Sequence, residues 1–470
     1  MTECTRSRFH FEGHFSREVV AGFDGGAITS DAGALLLRKV EQRTGILRQF
    51  AACFADGRNP ERIEHTVKEL VSQRVYGLAL GYEDLNDHDE LRRDPLLALV
   101  TGKADLKGEH RHKAQDRGKA LAGKSTLNRL ERTPLEASPK EARYKKIALD
   151  TAAVDRLLVD LYIQAQPRQP EQIVLDLDAT DDLIHGNQEG KFYHGYYGGY
   201  CYLPLYIFCG EFLLGARLRC SNIDGSAGAV EELERIVRRL RRTWPQVPIL
   251  VRGDSGFCRD AIMVWCAAHD VDYVFGLAKN DRLKAEIAAE QAQAEAEYQS
   301  SKKSARVFKD FRYRTLDSWT CERRVVGKAE HLDKGANPRF VVTSLPRDVM
   351  DARALYEDLY CARGEMENRI KEQQLDMFAD RTSTAQMRSN QLRVYFSALA
   401  YWMLQTLRRL GLNGTAMEHA QCGTIRLKVL KIGAQIQMSV RRIWISMAEG
   451  YAYPELFGQV CSNLEEADVG

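Results

Sequence analysis

Two short apolar stretches of the chain each end in a carboxylate. The first is QIVLDLDAT, which contains Asp178, and the second is VPILVRGDSGF, which contains Asp254. Apolar, β-branched runs that end in turn-forming residues are typical of buried strands. A carboxylate is costly to bury, so an acid at the tip of each of two buried strands indicates a function. These two strands limit the choice of fold more than any other feature.

The order of elements after residue 172 predicts the architecture of the central part. We expect strands at 173–178, 200–209 and 211–219, a helix at 226–243 that opens on a good N-cap, a strand at 247–253, a helix at 259–268, a strand at 271–278 and a helix at 281–299. Three strands, helix, strand, helix, strand is the order of an RNase H-like fold. The first acid then lies on the first strand and the second acid just after the fourth. The predicted fold class is therefore α/β with an RNase H-like core.

A β segment interrupts the helices that follow. Residues 304–345 alternate apolar and polar side chains, which predicts strands, and helical periodicity resumes at about Asp351 and carries Glu367. We interpret the β segment as an insertion into the core. It mixes Arg and Lys with aromatic residues, a mixture suited to a phosphate backbone and unstacked bases. The alternative is a solvated sheet face with aromatic side chains underneath.

A third motif lies on the helix after the insertion. Tyr360, Arg363 and Glu367 have the spacing Y-x-x-R-x-x-x-E. Offsets of three and four bring side chains to one face of a helix. An Arg beside the acid can hold a phosphate bidentately, and the Tyr can hydrogen-bond the same backbone. The alternative is an ordinary ion-pair ladder on the surface.

The three acids together predict a metal site. Carboxylates that converge from two strand ends and a helix suit hard divalent cations, which prefer oxygen ligands. Metal-assisted phosphoryl transfer is the reaction this set favours. Asp176 competes with Asp178, because residues two apart on a strand face the same way. We favour Asp178 for its place at the end of the strand.

These motifs resemble those of the DDE transposases of bacterial insertion sequences, specifically the group with a Tyr-Arg-Glu signature and a β insertion. Within this group the chain resembles the insertion-sequence family thirteen-eighty, and the resemblance covers nearly the whole chain. It rests on the segments FDGGAITSDAGALLLRKVEQRTGI, LDLDATDDLIHGNQEGKFYHGYYGGYCYLPLY and VRGDSGFC. The resemblance implies a core of the retroviral integrase superfamily. It also implies Asp178, in an Asp-x-Thr motif, Asp254 and Glu367 as the catalytic metal ligands.

The resemblance also implies the activity and the partners. The expected protein is a DNA transposase that binds the ends of an insertion sequence, cleaves them with two Mg²⁺ ions (Mn²⁺ being the substitute ion) and joins them to target DNA. The expected partners are double-stranded DNA, as terminal inverted repeats and target, and a second copy of the chain in a synaptic homodimer. Two alternatives remain: a metal-dependent nuclease of the same fold without strand transfer, and a catalytically inactive DNA-binding regulator derived from a transposase.

The same resemblance suggests further DNA contacts. The usual signature has a Lys seven residues after the Glu, but position 374 is Gln. Lys371, one turn closer, is a candidate replacement. Relatives often pass through a hairpin at the element end, where Trp319 or a neighbouring aromatic side chain would stabilise a flipped base. The predicted DNA or phosphate contacts are Tyr360, Arg363, Lys371, Trp319, Arg323 and Arg324.

Composition excludes several classes of protein. No apolar run approaches the ~20 residues that span a bilayer, and the first residues contain no apolar segment typical of a signal peptide. The eleven cysteines include no C-x-x-C pair, which indicates reduced thiols. Cys258, Cys266 and His269 match no zinc spacing, so core packing is favoured. We expect a bacterial cytoplasmic protein, associated with the nucleoid when bound to DNA.

One motif points to a function that its context excludes. Residues 118–125, GKALAGKS, match the Walker A pattern. A P-loop requires a buried strand before the glycines, and the preceding KGEHRHKAQDR cannot form one. We therefore expect no nucleotide binding. The continuation STLNRLERTP is interpreted as a helix of a DNA-binding element, capped by Ser125 or Thr126.

The predicted domain organisation follows these assignments. Residues 1–165 form a mainly helical region for DNA binding and terminal-repeat recognition, 166–300 the first part of the core, 301–348 the β insertion, 349–412 the completion of the core with the helix that carries Glu367, and 413–470 a C-terminal segment for dimerisation or DNA contact. Within the last segment, residues 424–448 fit either a β-hairpin or helices.

Overall fold

The chain is divided into two compact units. The computed structural model describes residues 8–133 and 146–467. The first unit contains the described residues up to Leu149 together with Leu399–Ala467, and the second contains Asp150–Ala398. The predicted boundaries at 165, 300, 348 and 412 concern roles in DNA binding and catalysis, and they stay predictions.

The elements of the described chain up to Leu149 are short. They are β1 (Arg8–His14), β2 (Arg17–Gly22), β3 (Ala27–Thr29), α1 (Ala34–Thr44), α2 (Ile46–Ala51), β4 (Phe54–Asp56), α3 (Val67–Ala79), α4 (His88–Leu91), α5 (Pro95–Thr101), α6 (Lys124–Glu131) and β5 (Ile147–Leu149). Short 3₁₀ turns lie at Pro60–Arg62, Leu85–Asp87 and Ala114–Asp116.

The remaining elements follow in chain order. They are α7 (Thr151–Gln164), β6 (Ile173–Ala179), β7 (Asp182–Leu183), β8 (Phe192–His194), β9 (Gly199–Tyr202), β10 (Leu205–Cys209), β11 (Phe212–Arg217), α8 (Ala229–Thr243), β12 (Ile249–Gly253), α9 (Asp260–Ala268), β13 (Asp272–Leu277), α10 (Asp281–Glu286), α11 (Ala288–Ser301), β14 (Ala305–Tyr313), β15 (Arg323–Leu332), β16 (Gly335–Ala336), β17 (Arg339–Thr343), α12 (Ala352–Ala354), α13 (Gly364–Lys371), α14 (Met387–Thr406), α15 (Cys422–Ile425), β18 (Ala434–Met438), β19 (Ile443–Met447) and α16 (Pro454–Glu466). A 3₁₀ turn lies at Cys361–Arg363, and π-helical turns lie at Leu355–Tyr360, Glu372–Asp376, Leu407–Gly411 and Arg426–Leu430.

The first unit combines helices with small sheets. β1 pairs with β2, β4 pairs with β5, and β3, β18 and β19 form a three-stranded sheet. The C-terminal segment belongs to this unit because β18 pairs with β3, and because Lys39 Nζ donates to Glu465 Oε1 at 2.5 Å. Both alternatives for residues 424–448 occur in sequence, since helical turns lead to Leu430 and the β18–β19 hairpin follows.

A nine-stranded mixed sheet forms the centre of the second unit. Its order is β11-β10-β6-β12-β13-β17-β15-β14, with β16 paired to β15. β6, β12 and β13 run parallel, whereas the other neighbours are antiparallel. The predicted β insertion therefore extends the main sheet, since β17 pairs with β13. The α/β class with a large mixed sheet agrees with the expectation from sequence.

Three local expectations differ from the structure. The strand expected at 200–209 is interrupted at Pro204, which has no N–H to donate, so β9 joins a separate sheet with β7 and β8. The helix expected from Ser226 begins after Gly228, which has a left-handed φ of 78°, and no side chain caps it. The helix expected at 281–299 is divided at Ile287, which is buried.

A buried cluster fixes the helical segment of the site onto the sheet. The cluster joins one residue from each of four strands, one residue of the loop after β17 and two residues of the helical segment, and comprises Leu250, Val274, Val326, Val341, Leu345, Leu355 and Tyr356. Tyr360 packs against its edge. Burial of such side chains contributes about 1.5–3 kcal/mol each, so the segment that carries the third motif is held firmly.

Candidate active site

Two adjacent parallel strands bring Asp178 and Asp254 to one edge of the sheet. In the register of β6 with β12, Leu177 lies opposite Gly253. The next residue of each strand is the acid, so the two carboxylates emerge side by side. Asp178 Oδ1 accepts a hydrogen bond from Ala179 N at 2.9 Å, and Asp254 Oδ1 accepts one from Gly256 N at 2.8 Å.

Arg363 connects the helical motif to the strand tips. Its Nη1 lies 3.5 Å from Asp178 Oδ2, and its Nη2 lies 3.2 Å from Glu367 Oε1. The backbone is not a regular α-helix here, because a π-helical turn ends at Tyr360 and a 3₁₀ turn ends at Arg363 before α13 begins. Tyr360, Arg363 and Glu367 nevertheless lie around the same site. Arg363 contacts Glu367, and, next to the larger effect of burial, the charge of Asp254 raises the pKa of both Tyr360 and Arg363.

A glycine makes room for Tyr360 beside Asp254. A Cβ atom built on Gly276 of β13 would lie 2.5 Å from Tyr360 Oη and 3.0 Å from Ser255 N. Such distances are shorter than any van der Waals contact, so a side chain at 276 would displace the tyrosine. Burial, the largest cause, raises the pKa of Tyr360, so its hydroxyl stays protonated and can donate a hydrogen bond.

The charges of the site are strongly coupled. Burial, followed by the nearby carboxylates of Asp254 and Glu367, raises the pKa of Asp178 to about 6, although Arg363 acts in the opposite direction. An acid that is desolvated beside two like charges favours the neutral form unless a cation compensates it. In this structure the compensating cation is the guanidinium of Arg363.

Asp176 is engaged in a separate ion pair. Arg252 Nε lies 2.5 Å from one carboxylate oxygen of Asp176, and Arg252 Nη2 lies 2.7 Å from the other. Arg252 also donates to the carbonyl oxygen of Leu359 at 2.5 Å. Both oxygens of Asp176 are thus used in a buried bidentate pair. Of the two aspartates that compete in the sequence, Asp178 is the one whose carboxylate lies 3.5 Å from Arg363, and Arg363 in turn contacts Glu367.

A cleft of about 480 Å³ opens beside Asp254. Its wall includes the aromatic rings of Phe340, Tyr356 and Tyr360. Lys279 and Arg339 also line it; both are exposed and have no hydrogen-bonding or ionic side-chain partner within the described ranges. The sequence analysis missed these two cations, since Lys279 follows a strand and Arg339 begins one, and neither belongs to a charge cluster. They are additional candidate ligands for a phosphate.

The three carboxylates have the right chemistry to bind a divalent cation, but their side chains are not arranged to bind one in this structure. Three carboxylates supply the oxygen ligands that Mg²⁺ prefers. In the described part of the chain, however, no group of three or more His, Cys, Asp or Glu side chains is close enough to hold a metal ion. Arg363 occupies the space between Asp178 and Glu367. A cation therefore fits by chemistry, provided that the guanidinium moves away.

Comparison with known families decides the identity. The model of a family described as transposase DDE domain group 1 matches residues 11–469. The chain belongs to this family of DDE transposases. DDE transposases are nucleic-acid-cleaving enzymes that typically use divalent metal ions. A search of curated proteins found no match. Within the described residues, no helix of the transposase has both the length and the apolar character needed to cross a membrane.

The DNA contacts expected in the β insertion do not fit this structure of the transposase. Trp319 is 4% exposed and packs edge-on against Tyr313, with ring centroids 5.9 Å apart. A base therefore has no exposed indole face to stack on. The prediction that Trp319 holds a flipped base is corrected to a packing role.

The two insertion arginines are also buried and paired. Arg323 Nη2 lies 2.8 Å from Asp260 Oδ1, and Arg324 Nη2 lies 2.5 Å from Asp310 Oδ2. Arg324 donates further hydrogen bonds to two backbone carbonyl groups. Because both guanidinium groups are buried and paired with an acid of the protein, neither arginine is free for a phosphate, and the sequence prediction for both is corrected.

The residues at the end of α13 differ in exposure. Lys371 is exposed and has no side-chain partner within the described ranges, so its side chain is free to contact a phosphate, and this contact stays a prediction. Gln374, in the place of the usual lysine, donates from Nε2 to the carbonyl oxygen of Asp181 at 3.0 Å. The glutamine therefore ties the helical segment to the loop that follows β6.

The Walker A match is not a P-loop in this structure. Between α5 and α6 the described chain contains only a 3₁₀ turn and no strand. Lys124, the lysine of the pattern, lies 3.5 Å from Asp89. The helix begins at Lys124 after Gly123 without a side-chain cap, so the expected cap at Ser125 or Thr126 is wrong.

Two of the three suspected zinc ligands are accounted for by packing. Cys266 is buried in α9, and the ring of His269 stacks on Trp265 at a centroid distance of 4.5 Å. Its Nδ1 lies 2.8 Å from the carbonyl oxygen of Trp265. The buried Cys266 agrees with the preference for core packing, whereas His269 is exposed and contacts Trp265 at the end of α9.

Proposed function

We propose that this transposase cleaves the ends of an insertion sequence by metal-dependent hydrolysis and joins them to target DNA. Asp178, Asp254 and Glu367 are the proposed catalytic metal ligands. The observation that carries the proposal is the meeting of two strand tips and a helix at Arg363. The strand order β11-β10-β6-β12-β13 supports an RNase H-like core for this site, with the first and fourth strands adjacent.

The residues around the acids have distinct proposed roles. The expected ion is Mg²⁺, with Mn²⁺ as its substitute. When bound, such cations would activate the attacking oxygen and stabilise the leaving oxygen. Arg363, once released from Asp178 and Glu367, holds a backbone phosphate through its planar fork. The hydroxyl group of Tyr360 donates a hydrogen bond to the same DNA backbone. Lys371, further along α13, neutralises another phosphate of the DNA.

The cleft beside Asp254 extends the proposed path of the DNA strand. Lys279 and Arg339 line the cleft without a carboxylate partner in the described ranges. Two unpaired cations next to a catalytic acid favour binding of the phosphates that flank the scissile bond. The proposed partners are the terminal inverted repeats and the target DNA, bound by a homodimer in the bacterial cytoplasm.

A cleavage and joining assay tests this function. The substrate is a labelled DNA fragment that carries the ends of the element encoding this chain. Wild type, Glu367→Gln and Asp178→Asn are compared with Glu365→Gln, which alters an exposed acid on the same helix. Each protein is assayed with Mg²⁺, with Mn²⁺ and with EDTA. We expect metal-dependent nicking and joining by wild type and Glu365→Gln, and a loss of at least about a thousandfold in the other two variants.

The outcomes separate the competing functions. Nicked ends that are never joined would establish a nuclease without strand transfer. Binding of the ends by wild type without any cleavage would establish a regulator. Equal activity of Glu367→Gln and Glu365→Gln would remove Glu367 from the proposed site.

A further inference from the structure

A groove lined by cations lies on the first unit. Two adjoining cavities of about 540 and 430 Å³ share three lining residues, Arg58, Thr126 and Arg129. The larger cavity is also lined by Arg132 and Lys146, and none of the described residues that line it is an acid. The smaller cavity adds further cations and two acids, and these lining residues are Arg62, Lys113, Glu61 and Glu64. The two cavities thus form one basic groove on either side of Arg129.

Helix α6 borders this groove with Arg129 and, just after the helix, Arg132, and the rest of its exposed polar face lies beside the groove. Its apolar side chains, Leu127 and Leu130, are buried in the first unit. The exposed positions have the offsets of a single helical face and are Lys124, Ser125, Asn128, Arg129 and, just after the helix, Arg132. One side of α6 is thus anchored in the first unit, and the other side exposes amide and guanidinium groups. This is the arrangement of a DNA-recognition helix.

The cations of the groove are mostly unpaired. Arg62, Lys113, Arg132 and Lys146 are exposed and make no side-chain hydrogen bond or ion pair within residues 8–133 and 146–467. Within the same ranges, the one side-chain hydrogen bond that Arg129 donates goes to the hydroxyl of Thr126, at 3.1 Å.

Of the nearby acids, Glu64 is neutralised by Arg111 at 2.9 Å, and Asp56 by Arg58 at 2.7 Å. The groove therefore keeps a local excess of positive charge, although the whole chain carries a formal net charge of only +2.

Burial and the positive charge near the groove both lower the pKa of one histidine, His65. Burial, followed by the positive charges of Lys103 and Arg111, lowers the pKa of His65 to about 3. Arg58 contributes in the same direction. The histidine is therefore neutral at pH 7 and does not itself supply the charge of the groove.

We propose that helix α6 and the groove around it bind double-stranded DNA, with Asn128 and Arg129 directed to base edges in the major groove. Arg62, Lys113, Arg132 and Lys146 bind the backbone phosphates on either side. An α-helix fits the major groove of B-form DNA, where Arg recognises guanine and Asn recognises adenine. This inference rests on the proposed function in one respect, namely that the specific duplex is the end of the element.

The lining of the groove favours a duplex over a single strand. Proteins that bind single strands place bases on aromatic platforms. None of the described residues lining either cavity is Phe, Tyr or Trp. Double-stranded RNA is disfavoured as well, because the narrow major groove of an A-form helix does not admit side chains for reading.

The test is a binding titration of the full chain with labelled duplexes, without metal, so that cleavage does not interfere. One duplex of about 40 base pairs carries the end of the element, and the other has the same composition in scrambled order. The phosphate variant is Arg62→Ala with Arg132→Ala, and the base-reading variant is Asn128→Ala. The matched control is Arg238→Ala with Arg242→Ala, two exposed arginines of α8 that line neither cavity.

The two kinds of variant should fail in different ways. The phosphate variant should bind both duplexes about tenfold more weakly, and its salt slope should fall by about 2, close to one for each lost contact. Asn128→Ala should lose about tenfold on the element end and almost nothing on the scrambled duplex. The control should bind both duplexes as wild type does.

Several results would overturn the assignment. One is wild-type binding by both groove variants, and another is an equal loss in the control. Equally tight binding of a double-stranded RNA of the same length would also exclude major-groove reading. The proposed function fails separately: wild type that binds with this pattern and never cleaves leaves the groove assigned and removes the catalysis.

Discussion

The cations of strand β15 and those around helix α6 differ in their partners: Arg323, Arg324 and Lys328 are buried in ion pairs, whereas the groove beside α6 is lined by exposed cations without a side-chain partner in the described ranges. On β15, acids of α9, of β14 and of β15 itself neutralise the cations. Asp310 lies opposite Val326, two residues from Arg324 on the paired strand, and this diagonal position brings the two charges together. Lys328 is likewise paired with Glu330 at 2.6 Å. The difference teaches that the availability of a cation depends on its tertiary partners, whereas a count of Lys and Arg describes only the sequence.

The largest expected effect is on the paired side of this comparison. Arg324→Met should lower the free energy of unfolding by about 3–5 kcal/mol, because it leaves Asp310 and two carbonyl groups buried without their donor. Chemical denaturation followed by circular dichroism measures this change. Combining it with Asp310→Leu should restore most of the loss, since no unpaired charge then remains. A single variant as stable as wild type would show that the pair is not buried in solution.

A smaller effect is expected at a buried acid that has no cation partner. Burial raises the pKa of Asp182 to about 8, and its only recorded side-chain hydrogen bond within the described ranges comes from the hydroxyl of Thr382 at 2.7 Å. The pKa of Asp182 in the folded state lies above its ordinary value of 3.8, so the folded state binds the proton more tightly than the unfolded state does. Stability is then highest below about pH 4 and falls as the pH rises towards 8.

The variant Asp182→Asn removes this ionisation and keeps an acceptor for Thr382. We expect its melting temperature to exceed that of wild type by at least about 2 °C at pH 8.5. At pH 4.5 the two proteins should melt close together. Thermal melts across this range measure the difference, and a gap that is constant with pH would show that Asp182 does not titrate there.

The smallest effect on stability is expected on the unpaired side. Lys113→Ala and Lys146→Ala should each change the free energy of unfolding by less than about 0.5 kcal/mol, because both side chains are exposed and unpartnered. The same variants should weaken DNA binding and reduce its salt dependence. If either variant were as destabilising as Arg324→Met, the contrast between the two regions would be lost.

Local patterns were sufficient to predict most of the sheet and the positions of Asp178 and Asp254 at strand ends, whereas their catalytic role stays a prediction. Residues 173–178 and 247–253 are apolar and end in turn-forming residues, and the structure has strands at Ile173–Ala179 and Ile249–Gly253. The order of strands and helices then placed Asp178 and Asp254 on neighbouring strands. These predictions succeeded because strand period and turn chemistry depend on residues close in sequence.

The features that were not predicted depend on residues far apart in sequence. The partner of Arg323 lies on another element, since Asp260, which neutralises it, is 63 residues away. The pairing of β18 with β3 is of the same kind, since it joins the two ends of the chain. No periodicity in the sequence carries such information. The competition between Asp176 and Asp178 likewise required the position of Arg252.

The guanidinium between Asp178 and Glu367 gives the resting transposase a counter-ion of its own. Under the proposed function, metal ions and Arg363 compete for the same carboxylates, while a DNA phosphate competes with those carboxylates for Arg363. Binding of DNA therefore favours binding of metal, and by thermodynamic linkage metal favours DNA by the same factor. A protein arranged in this way acquires its full chemical reactivity only when both have arrived.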